Sequence, residues 1–256
     1  MAYTTIDDPT QFFNTLLYTG NAADGSSTTQ DITGVGFQPD WVWLKSRTEA
    51  NHHFLVDSVR GANKGLYSDL TNAENTSTNY LKSFASDGFQ VGPDGVVNAN
   101  SQSYVSWNWL AGGSASSNSD GDVTSSVSAN TTAGFSIVKF TSSSSSGAMT
   151  VGHGLGATPK MVIVKDIAAT GNWQVYFEGI GTANQQYLKL NATDAVTNYS
   201  GLWGAGMTSS LIGIGVGVAV DALQRKKATQ NLEATQEIRI QMVHLFIQDL
   251  DLLGLW

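Results

Sequence analysis

The chain has 256 residues, which is longer than one domain of ordinary size and enough to bury two separate cores. Only 13% of the residues are charged while Gly, Ser, Thr, Asn and Ala abound, a composition suited to turn-rich β-structure and not to long amphipathic helices. The formal charge of −8, with no basic cluster outside Arg225-Lys226-Lys227, repels phosphate backbones and argues against a nucleic-acid partner, and the absence of cysteine excludes disulfides and thiolate metal sites.

In chain order, the opening Met1-Ala2-Tyr3-Thr4-Thr5-Ile6-Asp7-Asp8-Pro9 has no basic residue followed by an apolar stretch, so no secretory signal is expected and synthesis in a cytoplasm follows. Short β-type runs come next: Thr15-Leu16-Leu17-Tyr18, Trp41-Val42-Trp43-Leu44 and Tyr104-Val105-Ser106-Trp107-Asn108-Trp109, separated by Gly, Asn, Asp and Pro. That spacing predicts an antiparallel β-sandwich over residues 1–111. Residues 112–133, dominated by Ser, Gly, Asn and Thr, read as a linker. A second sandwich is expected over 134–221. Its apolar run 211–220 is too short for a membrane span and is interrupted by Gly213, Gly215 and Gly217.

The second half repeats the first. Phe13-Asn14-Thr15-Leu16-Leu17-Tyr18-Thr19 aligns with Phe135-Ser136-Ile137-Val138-Lys139-Phe140-Thr141, and Gly36, Pro39 and 41–45 align with Gly156, Pro159 and 161–165. The expected architecture is therefore all-β, two tandem small antiparallel sandwiches of jelly-roll or concanavalin-like type with an atypical tail. The second copy has no counterpart of the strand at 104–109, which predicts an open sheet edge and association with copies of itself. Val105, Trp107 and Trp109 alternate with Ser106 and Asn108, so these tryptophans read as core. Trp41 and Trp43 share one face of a strand apolar on both sides, which favours a central strand covered on both faces, with a sugar platform or subunit contact as the alternative. Trp173 and Trp203 are the candidates for an exposed glycan-binding platform in the second copy.

Candidate chemistry is sparse. His52 and His53 are adjacent on a strand and point to opposite faces, which disfavours a shared metal, and His153 in Gly152-His153-Gly154-Leu155-Gly156 lacks the Lys and helix of a phosphate-binding loop. Asp120 and Asp122 supply too few oxygens for a dedicated calcium loop. No paired acids, nucleophile-base pair or ligand cluster stands out, so neither catalysis nor a cofactor is expected.

Several motifs resemble tandem lectin-like modules in tail-fibre and related virion structural proteins of marine phages, cyanophages among them. They are the opening nine residues, Tyr18-Thr19-Gly20-Asn21, Gly34-Val35-Gly36-Phe37-Gln38-Pro39-Asp40-Trp41-Val42-Trp43, Asp57-Ser58-Val59-Arg60-Gly61, Asp87-Gly88-Phe89, 104–109, Gly134-Phe135-Ser136-Ile137-Val138 and 151–156. The resemblance covers residues 1–221. It implies a lectin-like sandwich on a virion, in a fibre, appendage or capsid-surface decoration, with other virion proteins, copies of itself and a host-surface glycan as partners. Residues 222–256 depart from this pattern. From Leu223 onward, the last base of each codon joined to the first two of the next permits a string containing YTGN and TGFRPAWV, parallel to 18–21 and to 37–42. The tail thus reads as an out-of-frame third module, with a genuine C-terminal helix as the alternative, since Ile238, Met242 and Leu245 have helical spacing while Ile238, Ile240 and Met242 alternate.

Overall fold

The computed structural model describes residues 8–142, 148–181, 185–199 and 201–215, so the tail at 222–256 and its frame-shifted reading lie outside the described residues. Within them the chain is all-β, made of short strands in antiparallel sheets. It divides into two compact units. One comprises described residues 8–70 and 74–114, and the other 71–73 and 115–215.

The first unit contains β1 (Phe13–Thr19), β2 (Gln30–Thr33), β3 (Trp41–Ser46), β4 (Phe54–Asp57), β5 (Lys64–Tyr67), β6 (Asn75–Thr76), β7 (Leu81–Ala85), β8 (Gly88–Val91) and β9 (Ser103–Trp109). A single helical turn, α1 (Gly95–Asn98), separates the last two strands, its first turn capped by the Asp94 carboxylate on the Val96 amide. Six strands form one sheet in the order β1-β9-β3-β4-β5-β6, and three form another in the order β2-β8-β7. Side chains alternate across a strand, so Val42 and Leu44 of β3 and Phe54 and Val56 of β4 face inward together. There they pack with Ile32, Leu81, Phe89 and Val91 of the smaller sheet in one buried cluster. Enclosing each such side chain contributes about 1.5–3 kcal/mol, which makes this cluster the principal adhesive between the sheets.

The Asp57-Ser58-Val59-Arg60-Gly61 motif closes the turn after β4. The Arg60 guanidinium is buried, pairs with Asp57 and Glu74, and donates to the carbonyl of Lys64 at 3.0 Å. The Asp57 carboxylate also accepts from the Arg60 amide at 2.8 Å, so backbone and side chain are fixed by one acid. Asp40, fully buried at the start of β3, plays a comparable part. It accepts from the amides of Ala111 at 2.9 Å and Gly113 at 3.1 Å and from the Ser58 hydroxyl at 2.8 Å, joining the ends of three strands.

The second unit contains β10 (Ser116–Asn118), β11 (Ser125–Asn130), β12 (Phe135–Phe140), β13 (Met149–Gly152), β14 (Met161–Val164), β15 (Gln174–Phe177), β16 (Gln186–Lys189), β17 (Thr197–Asn198) and β18 (Leu211–Ile214). Its sheets run β10-β11-β12, β13-β18 and β14-β15-β16-β17. Their inward faces meet in a cluster that includes Val138, Phe140, Val151, Val162, Val164, Tyr176, Trp203, Ile212 and Ile214.

The repeat extends to strand register. The pairing of β3 with β4, from Trp41 opposite Asp57 to Leu44 opposite Phe54, recurs in β14 and β15 from Met161 opposite Phe177 to Val164 opposite Gln174. The β4-β5 and β5-β6 pairings recur in β15-β16 and β16-β17, and the β2-β8 pairing in β13-β18. Loop hydrogen bonds recur too: the Lys45 ammonium donates to the carbonyls of Ser46 and Glu49, and the Lys165 ammonium to those of Asp166 and Ala169, at the same offsets. Gly92 donates its amide to Tyr80 and Gly215 donates its amide to Leu202. A Cβ on Gly92 would stand 2.3 Å from the Asn79 carbonyl oxygen, and one on Gly215 would stand 1.4 Å from that of Gly201, so both positions require glycine.

Besides the place of β7, which beside β18 is taken by a single bridge from Met207 to Ile212, two features of the described residues separate the copies. The stretch 112–133, expected as a linker, carries β10 and β11, and β11 pairs along its full length with β12. Its apolar residues are small but regularly placed, and Val123, Val127 and Ala133 are buried. The second difference is at the β9 position. Among the described residues no strand joins β12 to β14 as β9 joins β1 to β3.

Candidate functional site

The outer face of the six-stranded sheet, opposite the sandwich core, carries the densest group of aromatic side chains in the first unit. Register places Trp41, Trp43 and Lys45 of β3 directly beside Trp109, Trp107 and Val105 of β9, with Phe13, Thr15 and Leu17 of β1 beyond them. The rings interlock. Trp41 and Trp43 are stacked with centroids 6.4 Å apart, Trp41 and Trp109 lie at 5.5 Å, and Phe13 and Trp109 at 4.9 Å. Trp107 meets Trp43 edge-on at 6.3 Å. Such tilted and edge contacts suit the ring quadrupoles and hold the indoles in fixed orientations.

Exposure changes along this face. Trp41 at 1% and Trp109 at 4% are enclosed, whereas Trp43 and Trp107 are half-buried and Leu17 is 64% exposed. The accessible part therefore consists of the Trp43 and Trp107 rings, Thr15, Leu17 and the stem of Lys45. His53, at the entry to β4, borders it: its Nδ1 accepts from the Trp43 indole nitrogen at 3.1 Å, and its ring meets that indole edge-on at 5.9 Å. Burial holds the His53 pKa below its usual value, which keeps the ring neutral and able to accept. Asp69 anchors the preceding turn, accepting from the His53 amide at 3.0 Å and pairing with the His52 ring at 2.7 Å. The arrangement offers flat apolar rings with a few oriented polar groups, which suits stacking against a sugar ring or a second apolar surface.

The corresponding face of the second unit has Met161, Ile163 and Lys165 at the positions of Trp41, Trp43 and Lys45. Trp173 and Trp203, expected as an exposed platform, are enclosed at 1% and 0%. Trp203 belongs to the sandwich core, donates its indole N–H to the Gln186 carbonyl at 3.0 Å and meets Tyr176 edge-on at 5.8 Å. The apolar ring outweighed the surface role because it fills the space between β14, β15 and β18. His153 is also buried. The Leu155 amide donates to its Nδ1 at 3.2 Å, so the proton resides on Nε2, which donates to the Thr208 carbonyl at 3.2 Å. Asp122 accepts from the amide and hydroxyl of Thr150 at 2.9 and 2.8 Å, and Asp120 accepts from the Asn118 side-chain amide at 3.0 Å. Both carboxylates thus secure the segment beside β13. Among the described residues no group of three or more His, Asp or Glu side chains is arranged to hold a metal ion.

Trp43 was identifiable from sequence as a contact candidate, but its neighbours Trp107 and His53 were not. The signal for Trp107 was its matching alternation with β3, which puts Trp107 opposite Trp43 once β9 inserts beside β3. No local pattern reports that insertion. No curated protein and no solved structure matches the chain. A family profile described as a domain of unknown function, DUF7483, matches residues 8–230, and the chain belongs to that family.

Proposed function

We propose that this protein is a non-enzymatic structural component of a bacteriophage particle, a fibre, appendage or capsid-surface decoration that acts through packing and surface contact. The observation that carries this reading is the register-for-register duplication of a small sandwich, a unit that can be chained and surface-modified without disturbing its core. The motif resemblance to virion modules supplies the biological setting. Its partners are other virion proteins and further copies of the chain. Mass spectrometry of purified particles, followed by location of the protein in an electron-microscopy map, tests the reading directly. Absence from the particle overturns it.

A second reading, a soluble carbohydrate-binding module, is favoured by one feature: the solvent-facing pair Trp43 and Trp107 with His53 at its border. Here the platform lies on the first unit, since Trp173 and Trp203 are enclosed. Glycan-array binding that is lost in Trp43→Ala and Trp107→Ala, with unchanged folding, would promote this reading over the first.

A further inference from the structure

The repeat continues past the strands into the segments that follow β5 and β16. The β5-β6 and β16-β17 registers match, and the backbone bonds around them match too. The Ser68 amide donates to the His53 carbonyl as the Leu190 amide does to that of Trp173, and the Ser77 amide donates to the Asn63 carbonyl as the Tyr199 amide does to that of Gln185. Side chains agree as well: Asp69 accepts from the His53 amide and Asn191 from the Trp173 amide. Thr71-Asn72-Ala73 therefore corresponds to Thr193-Asp194-Ala195.

The first of these segments has a seat. Residues 71–73 are part of the second unit, where the Thr71 carbonyl accepts from the Gly171 amide at 2.7 Å and from the Lys165 ammonium at 3.3 Å. That seat is the loop after β14, in which Lys165 also donates to the Asp166 and Ala169 carbonyls. The loop after β3 is built the same way around Lys45, with Asn51 in the place of Gly171. The two loops differ in exposure. Lys165, Ile167, Gly171 and Trp173 are buried, whereas Lys45, Asn51 and His53 are half-buried and Arg47 is exposed. Among the described residues the Asn51 amide meets no acceptor, and the Thr193 carbonyl meets no donor. Residues 47–50 and 192–196 are all exposed, so neither the loop nor the segment is covered from within its own chain.

We propose that Thr193-Asp194-Ala195 of one copy seats on the loop 45–51 of another, so that copies of the chain join head to tail through the contact that 71–73 makes with 165–171. The Thr193 carbonyl takes the two donors that its counterpart Thr71 takes: the Asn51 amide and the Lys45 ammonium. An ammonium has three N–H donors, and the Ser46 and Glu49 carbonyls engage two of those on Lys45. Val196 and Tyr199, which are 39% and 43% exposed beside the segment, add apolar surface for the contact to cover. The joined surfaces differ from one another, so each added copy leaves one loop and one segment open for the next, and the contact propagates. The proposal rests on the reading that copies of the chain associate, and it needs no location in a particle.

The chain has no cysteine, so introduced cysteines report the contact directly. Full-length Asn51→Cys and Thr193→Cys chains are mixed at micromolar concentration and oxidised. A disulfide between them is expected to form about tenfold faster or more than one between Asn51→Cys and Ser27→Cys, whose cysteine is exposed on another loop. A chain carrying both Asn51→Cys and Thr193→Cys is expected to give a ladder of covalent multimers, where each single variant stops at a dimer. Adding Ala195→Arg, at an exposed position, to the Thr193→Cys chain is expected to abolish the preference and leave thermal unfolding unchanged. Equal rates with the Thr193→Cys and Ser27→Cys partners overturn the proposal. So does closure of the doubly substituted chain on itself without multimers, because the segment then seats within its own chain. Sedimentation of the cysteine-free chain separates this contact from the wider reading. Association that Ala195→Arg leaves intact keeps self-association and overturns this interface.

Discussion

Arg60 illustrates how much of this fold depends on a few enclosed polar groups. Its guanidinium engages Asp57, Glu74 and two backbone carbonyls, a set that a planar fork of five donors can satisfy and a single ammonium cannot. Arg60→Ala leaves the buried Asp57 without its counter-charge and Glu74 with Lys64 as its cation, and is expected to cost about 3–5 kcal/mol, measured by denaturant unfolding of the first unit, with Arg60→Lys recovering only part of the loss. Equal stability of the wild type and Arg60→Ala would remove this motif from the stabilising core. His153 gives the second unit a different sensitivity. Burial lowers its pKa from the usual 6.5, and its two ring nitrogens are committed as one donor and one acceptor. The unfolded chain therefore binds a proton more readily than the folded one. The contribution of His153 is fully present above pH 6.5 and is lost as the pH falls from there through its lowered folded value. Urea unfolding at a series of pH values, compared between wild type and His153→Gln, should show the acid-side decline in the wild type and a weaker one in the variant.

At the level of elements, the patterns legible in the sequence were those that local chemistry enforces. The alternation at 104–109 marked β9 and the aligned runs 13–19 and 135–141 marked β1 and β12, but the expected core side of β9 is reversed: Ser106 and Asn108 are fully buried beside Leu44 and Val42, while Trp107 lies half-buried on the outer face, because β9 is covered on both sides. The β10-β11 segment escaped notice for a physical reason. Val127 and Ala129 are too small and too diluted by Ser to outweigh a linker-like composition, yet pairing with β12 supplies the missing support. Tertiary context likewise decided the tryptophans, since exposure of Trp43 and enclosure of Trp203 depend on which strands lie beside them. A substitution distinguishes the two descriptions of residues 112–133. In a solvated linker Val127→Ser is neutral to within about 0.5 kcal/mol. In the observed sheet Val127 is buried against Val138 and its neighbours, so a loss of about 1–2 kcal/mol is expected in the second unit's unfolding midpoint.

At the level of the whole molecule, the described residues of each unit form a hydrophobic cluster of their own, one centred on Val42, Leu44, Phe54 and Phe89 and the other on Val162, Val164, Trp203 and Ile212. Among the described residues the two clusters have no side chain in common, so the packing lost on opening one is not lost from the other. Scanning calorimetry of the chain is therefore expected to resolve two transitions. Phe54→Ala removes a ring enclosed by Tyr67, Tyr80 and the β3 side chains, and Trp203→Ala removes the indole at the centre of the second cluster. Each change is expected to cost about 3–5 kcal/mol and to lower only the transition of its own unit. If either substitution lowers both transitions together, or if the wild type shows one transition whose calorimetric and van't Hoff enthalpies agree, the two sandwiches are a single cooperative unit and the tandem description fails.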